Sequence, residues 1–203
     1  MARSSNSVLA MAAACGFLAA CAPAATAQRV VPEEAYPGDI TPPEGTRYPC
    51  ALTALPRDLP GIPEGDRAYV NRTYTRLLRA TQAKLVLLKA LDEDRALPAA
   101  LARYQEATSG LSARVQDDPP PAGLEAFRDD VGGALALQQA FFAKAVPLRQ
   151  SGRGMPEVYA IAEGRQASSR LIAAWGRMQA RYPAWSAETK DSIYHHLCAL
   201  DLF

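Results

Sequence analysis

The sequence predicts an all-α fold: an up-and-down bundle of four amphipathic helices with a short helix at the C-terminus. Apolar residues recur at steps of three and four along the last two-thirds of the chain. Proline and glycine clusters separate these periodic stretches, and no alternating β-branched run is long enough for a strand. The 203 residues, 49% hydrophobic and 21% charged, suffice for one domain with an apolar core.

Residues 1–27 have the layout of a secretory leader. Arg3 supplies a positive start, residues 8–22 are apolar and uncharged, and an Ala-Thr-Ala run at 25–27 precedes Gln28. The apolar stretch is too short for a stable transmembrane anchor. We therefore predict export, either to the periplasm or as an outer-membrane lipoprotein of a bacterium. Plain secretion gives a mature chain that starts at Gln28.

A second interpretation of the leader stays open. Leu18-Ala19-Ala20-Cys21 resembles the lipobox of bacterial lipoproteins, in which cleavage precedes the cysteine and the cysteine is lipidated. The segment 28–65 is a Pro-rich, irregular N-terminal segment and suits a tether. In this interpretation Cys21 becomes the first residue and carries the only link to a membrane.

Two further cysteines remain outside the leader, Cys50 in the tether and Cys198 near the C-terminus. In an oxidising compartment an even pair predicts a disulfide, here between the tether and the last helix of the domain 66–203. Closing so long a loop is worth about 5 kcal/mol in the chain-entropy model. The alternative is a Cys198 nucleophile paired with His195.

Net charge excludes one class of partner. The whole chain carries a formal charge of +1, and removing Arg3 with the leader leaves 21 basic and 21 acidic residues. A neutral chain gives no electrostatic basis for binding nucleic acid or an anionic membrane surface. The oligomeric state stays undetermined.

The first helix is predicted to begin at Asp66, a suitable N-cap after the turn 63–65. Its apolar face consists of Val70, Tyr74, Leu77, Thr81, Leu85 and Leu88. Residues 85–88 are apolar all round, which suggests a stretch enclosed by neighbours. A basic stripe on the opposite side is interpreted as a solvated face rather than a binding surface, and it consists of Arg72, Arg76 and Arg79.

The second helix is predicted over 97–115, with Ser109-Gly110 as its weak point, and the third over 122–150. Gln138 falls in the middle of the third helix's apolar face. A buried amide needs partners, so Gln138 either forms a hydrogen bond to another helix or contacts a ligand. Gly132-Gly133 suggests a close helix crossing, and Pro147 a kink or an end.

The fourth helix is predicted from Pro156, which suits a first turn. Its inner face is assigned to Ile161, Gly164, Ser168, Leu171, Ile172, Trp175, Met178 and Tyr182. Ser186 is predicted to cap the fifth helix. The inward residues of that helix are Ile193, Tyr194, Leu197 and Leu200.

No catalytic or metal-binding motif emerges from the chain. His195 and His196 are adjacent, so on a helix they point about 100° apart and are interpreted as surface or rim residues. No metal-ligand spacing, nucleophile elbow, phosphate loop or dinucleotide fingerprint is present. We predict no cofactor, no metal and no catalytic residue.

These observations predict a non-enzymatic envelope protein, an adaptor or binding module that faces the periplasm. The alternative is a small-ligand binder with a cavity between helices near Gln138, Trp175 and Tyr182. A third hypothesis is an enzyme whose active residues form no recognised motif. A solid core with an exposed apolar patch favours the adaptor.

Overall fold

Helices dominate the part of the chain that the computed structural model describes, residues 40–44, 59 and 61–202. These residues belong to one compact unit, Val31–Phe203. The helices are α1 (Glu64–Glu93), α2 (Leu97–Thr108), α3 (Leu111–Asp117), α4 (Glu125–Gln150), α5 (Met155–Tyr159), α6 (Ala162–Arg181) and α7 (Ala187–Leu200). The described residues contain no strand, so the all-α prediction is confirmed. The leader lies outside them.

The predicted apolar face of α1 is buried along its whole length, but the predicted start of the helix is wrong. Pro63 precedes the first helical residue, and the amide of Asp66 already donates to the Pro63 carbonyl oxygen over 3.0 Å. The Arg67 amide also donates to the Pro63 carbonyl oxygen over 3.0 Å, which closes the first helical turn, so the helix starts at Glu64. Val86, expected to be enclosed, is 43% exposed.

The basic stripe of α1 is not the solvated face that the sequence predicts. Arg76 is 2% exposed and donates to Asp118 Oδ2 over 2.8 Å, while Arg72 donates to both Asp118 oxygens over 3.0 and 3.1 Å. Asp118 follows α3 and is itself buried. The prediction fails because α3 packs on this side of α1 and brings a carboxylate to the two guanidinium groups. We call Arg72, Arg76 and Asp118 the buried clamp.

The predicted second helix is two helices, separated at its weak point. Ser109 ends α2 in an extended conformation, and Gly110 has a φ of 67° before α3 begins. A left-handed residue interrupts an α-helix, and glycine adopts that conformation without a steric cost. As a result, α2 packs mainly on α1, whereas α3 turns to pack on α4.

α4 packs along α6, and its glycines mark a close approach as the sequence suggests. A Cβ atom at Gly132 would overlap the side-chain amide of Gln116 of α3. One at Gly133 would lie 2.9 Å from the guanidinium of Arg170 of α6. The helix continues through Pro147 to Gln150.

The predicted fourth helix is divided as well. Pro156 does lie in a first turn, but of the five-residue α5, and Ile161 then takes an extended conformation before α6. The predicted cap of α7 is confirmed, because Ser186 Oγ accepts a hydrogen bond from the Thr189 amide over 3.1 Å.

Two large apolar clusters and a small one form the core of the described residues. The larger joins the first half of α1 with α3, α4, α6 and α7, around Leu77, Phe127 and Leu197. The other joins the second half of α1 with α2, α4 and α5, around Tyr104 and Phe142.

Three described apolar residues of the predicted tether, Ile40, Leu59 and Ile62, pack against the bundle. Leu59 belongs to the larger cluster and is fully buried. Ile40 packs with Leu78 and Leu85 of α1 and with Ala199 of α7. Parts of the segment predicted to be a tether therefore contact the helical domain.

Candidate interaction surface

The C-terminal end of α7 meets a buried lysine. Lys84 of α1 is 1% exposed and donates to the carbonyl oxygens of Ala199 and Asp201. The last carbonyl groups of a helix lack partners within it and lie at the negative end of the helix dipole. A cation at this end satisfies both, so Lys84 can lie inside the protein and hold α7 against α1.

Two further helices bind the same end of α7. Gln138 of α4 donates from Nε2 to the Leu200 carbonyl oxygen over 2.5 Å, and Ser168 of α6 donates to the Asp201 carboxylate. The prediction of a cross-helix hydrogen bond from Gln138 is confirmed. Polar groups from α1, α4 and α6 thus fix the position of α7.

The outer side of α6 and α7 carries apolar groups that the fixed helix presents to solvent. Ile172 is 67% exposed and Tyr194 44% exposed, so the inward orientation predicted for both is wrong. Leu171 and Ile193 take the inner positions, and adjacent helical residues point about 100° apart. Half-buried Trp175 lies against the Tyr194 ring, with centroids 5.6 Å apart.

Ile172 and Trp175 are three residues apart on α6, which makes them neighbours on one helix face. Trp175 contacts the Tyr194 ring and also packs against the larger core cluster. We call Ile172, Trp175 and Tyr194 the α6–α7 patch. The C-terminal end of α7 is therefore held by hydrogen bonds from other helices, whereas its outer side exposes the aromatic ring of Tyr194 to solvent.

A free, exposed thiol lies beside the patch. Cys198 is four residues after Tyr194 on α7, and their hydrogen bond raises the pKa of the Tyr194 hydroxyl above its usual value. Nδ1 of His195 lies 3.5 Å from Oδ2 of Asp191. A cysteine nucleophile needs a base that takes its proton, and the pairing of Cys198 with His195 stays a prediction.

The two adjacent histidines have different surroundings. His195 is exposed, as predicted, but His196 is only 2% exposed and the rim position predicted for it is wrong. Its Nδ1 atom lies 2.7 Å from the Ser192 carbonyl oxygen, and its ring meets that of Tyr74 edge to face at 5.9 Å. His196 shares the inner side of α7 with Leu197 and Leu200.

The proposed ligand-binding side chains have separate partners. Gln138 bonds the end of α7, Trp175 lies against Tyr194, and the Tyr182 hydroxyl donates to Asp66 Oδ2 over 2.7 Å. Burial raises the pKa of Tyr182. Two surface grooves of about 470 Å³ each are lined by other residues. The structure therefore does not gather the three side chains around one of these grooves.

The residues of the processing and disulfide predictions are only partly described. Cys21 and Cys50 lie outside the described residues. Cys198 is a free thiol at the surface. The lipid anchor and the Cys50–Cys198 bridge stay predictions.

Several buried charged residues were missed at the sequence level, among them Asp66, Lys84 and Asp118. A spacing signal exists for each. Asp66 precedes Val70 by four residues, Lys84 precedes Leu88 by four, and Asp118 follows Val115 by three. These are positions of the inner helix faces or their continuations. The charge of these residues predicts an exposed position, whereas their spacing from apolar residues of the same helix face predicts the burial that the structure shows.

Comparisons with known proteins add no relationship. No protein-family model, no curated protein and no solved structure matches the chain. Within the described residues no helix is long and apolar enough to cross a membrane, and no cluster of three or more His, Cys, Asp or Glu side chains could hold a metal ion. Fold and surface together define an all-α bundle with an exposed aromatic patch.

Proposed function

We propose that this protein is an exported bacterial envelope protein that acts as a non-enzymatic adaptor, binding another protein through the α6–α7 patch. The observation that carries the proposal is the exposure of Ile172 and Tyr194 beside Trp175. Aromatic side chains concentrate binding energy at protein interfaces. Contiguous exposed apolar groups mark such interfaces on soluble domains.

The composition of this surface suits a partner protein with an apolar centre. Asp191 and His195 are exposed on α7 next to Tyr194, which gives the aromatic groups a polar edge. An apolar centre with a polar rim is the usual anatomy of a protein interface. Because α7 is bonded to three helices, little order needs to be gained when a partner docks.

A site-specific photocrosslinker in native envelopes tests the proposal. Placed at position 172, it should give one discrete adduct, and Tyr194→Asp in the same chain should abolish that adduct. The matched control position is Ala102, which is exposed on α2. The same adducts from positions 102 and 172, or an adduct that survives Tyr194→Asp, would contradict the adaptor proposal.

Export and the lipid anchor form a separate part of the proposal. The apolar leader and the Leu-Ala-Ala-Cys run at 18–21 support it. If Cys21 is acylated, the mature protein partitions into detergent, and Cys21→Ser releases it or blocks maturation. A mature N-terminus at Gln28 supports plain secretion instead and excludes the anchor.

The Cys50–Cys198 disulfide is also part of the proposal, and chain reach supports it. Ile40 packs against Ala199, the neighbour of Cys198, and the Glu44 carbonyl oxygen accepts a hydrogen bond from Lys89. Cys50 lies six positions after Glu44, and a chain of that length spans at most about 20 Å when extended.

Peptide mapping without reduction tests the bridge directly. It should recover the joined peptides, and Cys198→Ser should lower the unfolding free energy by about 2–5 kcal/mol while helicity persists. Two thiols that titrate freely in the folded, oxidised protein would show that the pairing is wrong.

A further inference from the structure

The two helices that carry the α6–α7 patch run antiparallel. Ser168, in the first half of α6, donates to the carboxylate of Asp201, just after the end of α7. Trp175, further along α6, lies against Tyr194, nearer the start of α7. The start of α6 is therefore level with the end of α7, and the end of α6 is level with the start of α7. This direction decides which charged groups lie at each end of the patch.

The two ends of the patch carry charges of opposite sign. Arg165 precedes Ile172 by seven residues, so it is exposed on the same face of α6, about 10 Å away along the helix. At the other end, Asp191 precedes Tyr194 by three residues on α7, and its side chain is 67% exposed. Glu188 is exposed in the first turn of the same helix. The patch therefore has a basic end on α6 and an acidic end on α7.

The later arginines of α6 belong to other contacts. Arg170 and Arg177 pair with Asp130 of α4. Arg181 pairs with Asp66 of α1. These guanidinium groups neutralise carboxylates of the bundle itself, so they do not cancel the acidic end of the patch.

The patch also has a projection and a notch on one helix face. Ile172 is 67% exposed, and Gly176 follows it by four residues, one turn along α6. A Cβ atom at Gly176 would meet no neighbouring side chain of the described residues within 4 Å, so the space above this glycine is open. A second α6 laid antiparallel on the first would place each Ile172 over the Gly176 of the other copy.

We propose that the partner bound by the α6–α7 patch is a second copy of this chain, in a two-fold symmetric dimer. This inference rests on the proposed function and names the partner of the same site. In a two-fold interface both copies use the same surface, and each contact occurs twice. Rotation by 180° brings the basic end of one copy to the acidic end of the other, so Arg165 meets Asp191 and Glu188 on both sides of the apolar centre. The formal charge of only +1 adds little repulsion between copies.

Sedimentation equilibrium of the full mature chain should show a reversible equilibrium between monomer and dimer. Arg165→Glu should weaken dimerisation at least about tenfold, because symmetry replaces two attractive contacts by two repulsive ones. Asp191→Arg in the same chain as Arg165→Glu should restore most of the affinity. The matched control is Arg103→Glu, since Arg103 is an exposed arginine on α2, and it should leave dimerisation unchanged.

Filling the notch tests the packing separately from the charges. Gly176→Gln places a long neutral side chain in the open space, so it should weaken dimerisation about tenfold. Glutamine is a better helix former than glycine, so the unfolding free energy should not fall. Circular dichroism should show every variant folded.

A chain that stays monomeric at every concentration, or equal losses in Arg165→Glu and Arg103→Glu, would overturn the dimer. In envelopes, the adduct from position 172 should have the mass of two copies of the chain. An adduct with a different protein that Tyr194→Asp abolishes would overturn the dimer and leave the proposed function intact. The lack of any adduct from position 172 would overturn both.

Discussion

The buried clamp and the α6–α7 patch depart from the usual distribution of residues in opposite directions. In the clamp, charged groups lie inside the protein, with Asp118 3% exposed. In the patch, apolar groups lie outside, with Ile172 67% exposed. The charges inside are compensated locally, because both guanidinium groups bond the Asp118 carboxylate. The exposed apolar groups have no such compensation within the described chain, so we interpret the clamp as structural and the patch as functional.

The largest effect should come from neutralising the clamp. Asp118→Asn leaves Arg76 buried beside a neutral amide, and breaking a buried ion pair in this way costs about 3–5 kcal/mol. Chemical denaturation should show this loss in unfolding free energy. Asp129→Asn is the control, because Asp129 is exposed and surface ion pairs contribute about 0–1 kcal/mol. Equal losses in both variants would contradict the structural role of the clamp.

A smaller loss should follow removal of the cation at the end of α7. Lys84→Met leaves the Ala199 and Asp201 carbonyl groups without their donor, at about 1–3 kcal/mol for each unsatisfied buried group. The expected loss in unfolding free energy is about 3 kcal/mol. Lys144→Met is the control, since Lys144 pairs with Glu163 at an exposed position. A loss no larger than in the control would show that Lys84 does not hold α7.

Helix faces could be predicted from the sequence, but these two regions could not. Spacing alone places Val70, Tyr74 and Leu77 inside, because a period of three to four residues identifies one helix face. The clamp depends on where α3 turns after Gly110, and that turn brings a distant carboxylate to α1. Such a contact joins residues more than forty positions apart, and a local pattern does not encode it.

The candidate site was missed for a related reason. Tyr194 was assigned to the inner side of α7 because its spacing from Ile193 and Leu197 fits either of two adjacent faces. The choice between those faces is made by the polar bonds from Lys84 and Gln138 to the end of α7. Of these two, only the hydrogen bond of Gln138 was predictable, because an amide in an apolar face needs a partner.

At alkaline pH, a tyrosine beside the clamp and a tyrosine of the patch should contribute differently to the pH dependence of the unfolding free energy. Tyr69 lies beside the clamp, under the Arg72 guanidinium, and burial raises its pKa from 10.0 to about 12. Because the folded pKa is the higher one, its contribution to stability is complete below pH 10 and is lost as pH rises towards 12. The loss in unfolding free energy should approach about 2 kcal/mol at pH 12.

Denaturation at pH 9 and pH 11 measures this loss, with Tyr69→Phe and Tyr194→Phe as paired variants. Tyr69→Phe should make the pH dependence shallower, whereas Tyr194→Phe should leave it nearly unchanged because Tyr194 is exposed. The reverse order would contradict the distinction between the two regions.

The smallest effect on stability is expected in the patch. Ile172→Asp and Tyr194→Asp should each change the unfolding free energy by about 0.5 kcal/mol or less, as exposed substitutions usually do. Denaturation under the conditions used for the clamp variants measures this change. A loss of several kcal/mol would show that the patch is part of the core.

Affinity for the crosslinked partner, measured on purified proteins, tests the adaptor proposal most directly. Tyr194→Asp should weaken binding by about thirtyfold, the effect expected for substitution of a central interface residue, while the melting temperature stays the same. Asp118→Asn, measured at a temperature where it is folded, should lower the melting temperature and bind with wild-type affinity. Wild-type affinity in Tyr194→Asp would contradict the proposal that the α6–α7 patch is the interface.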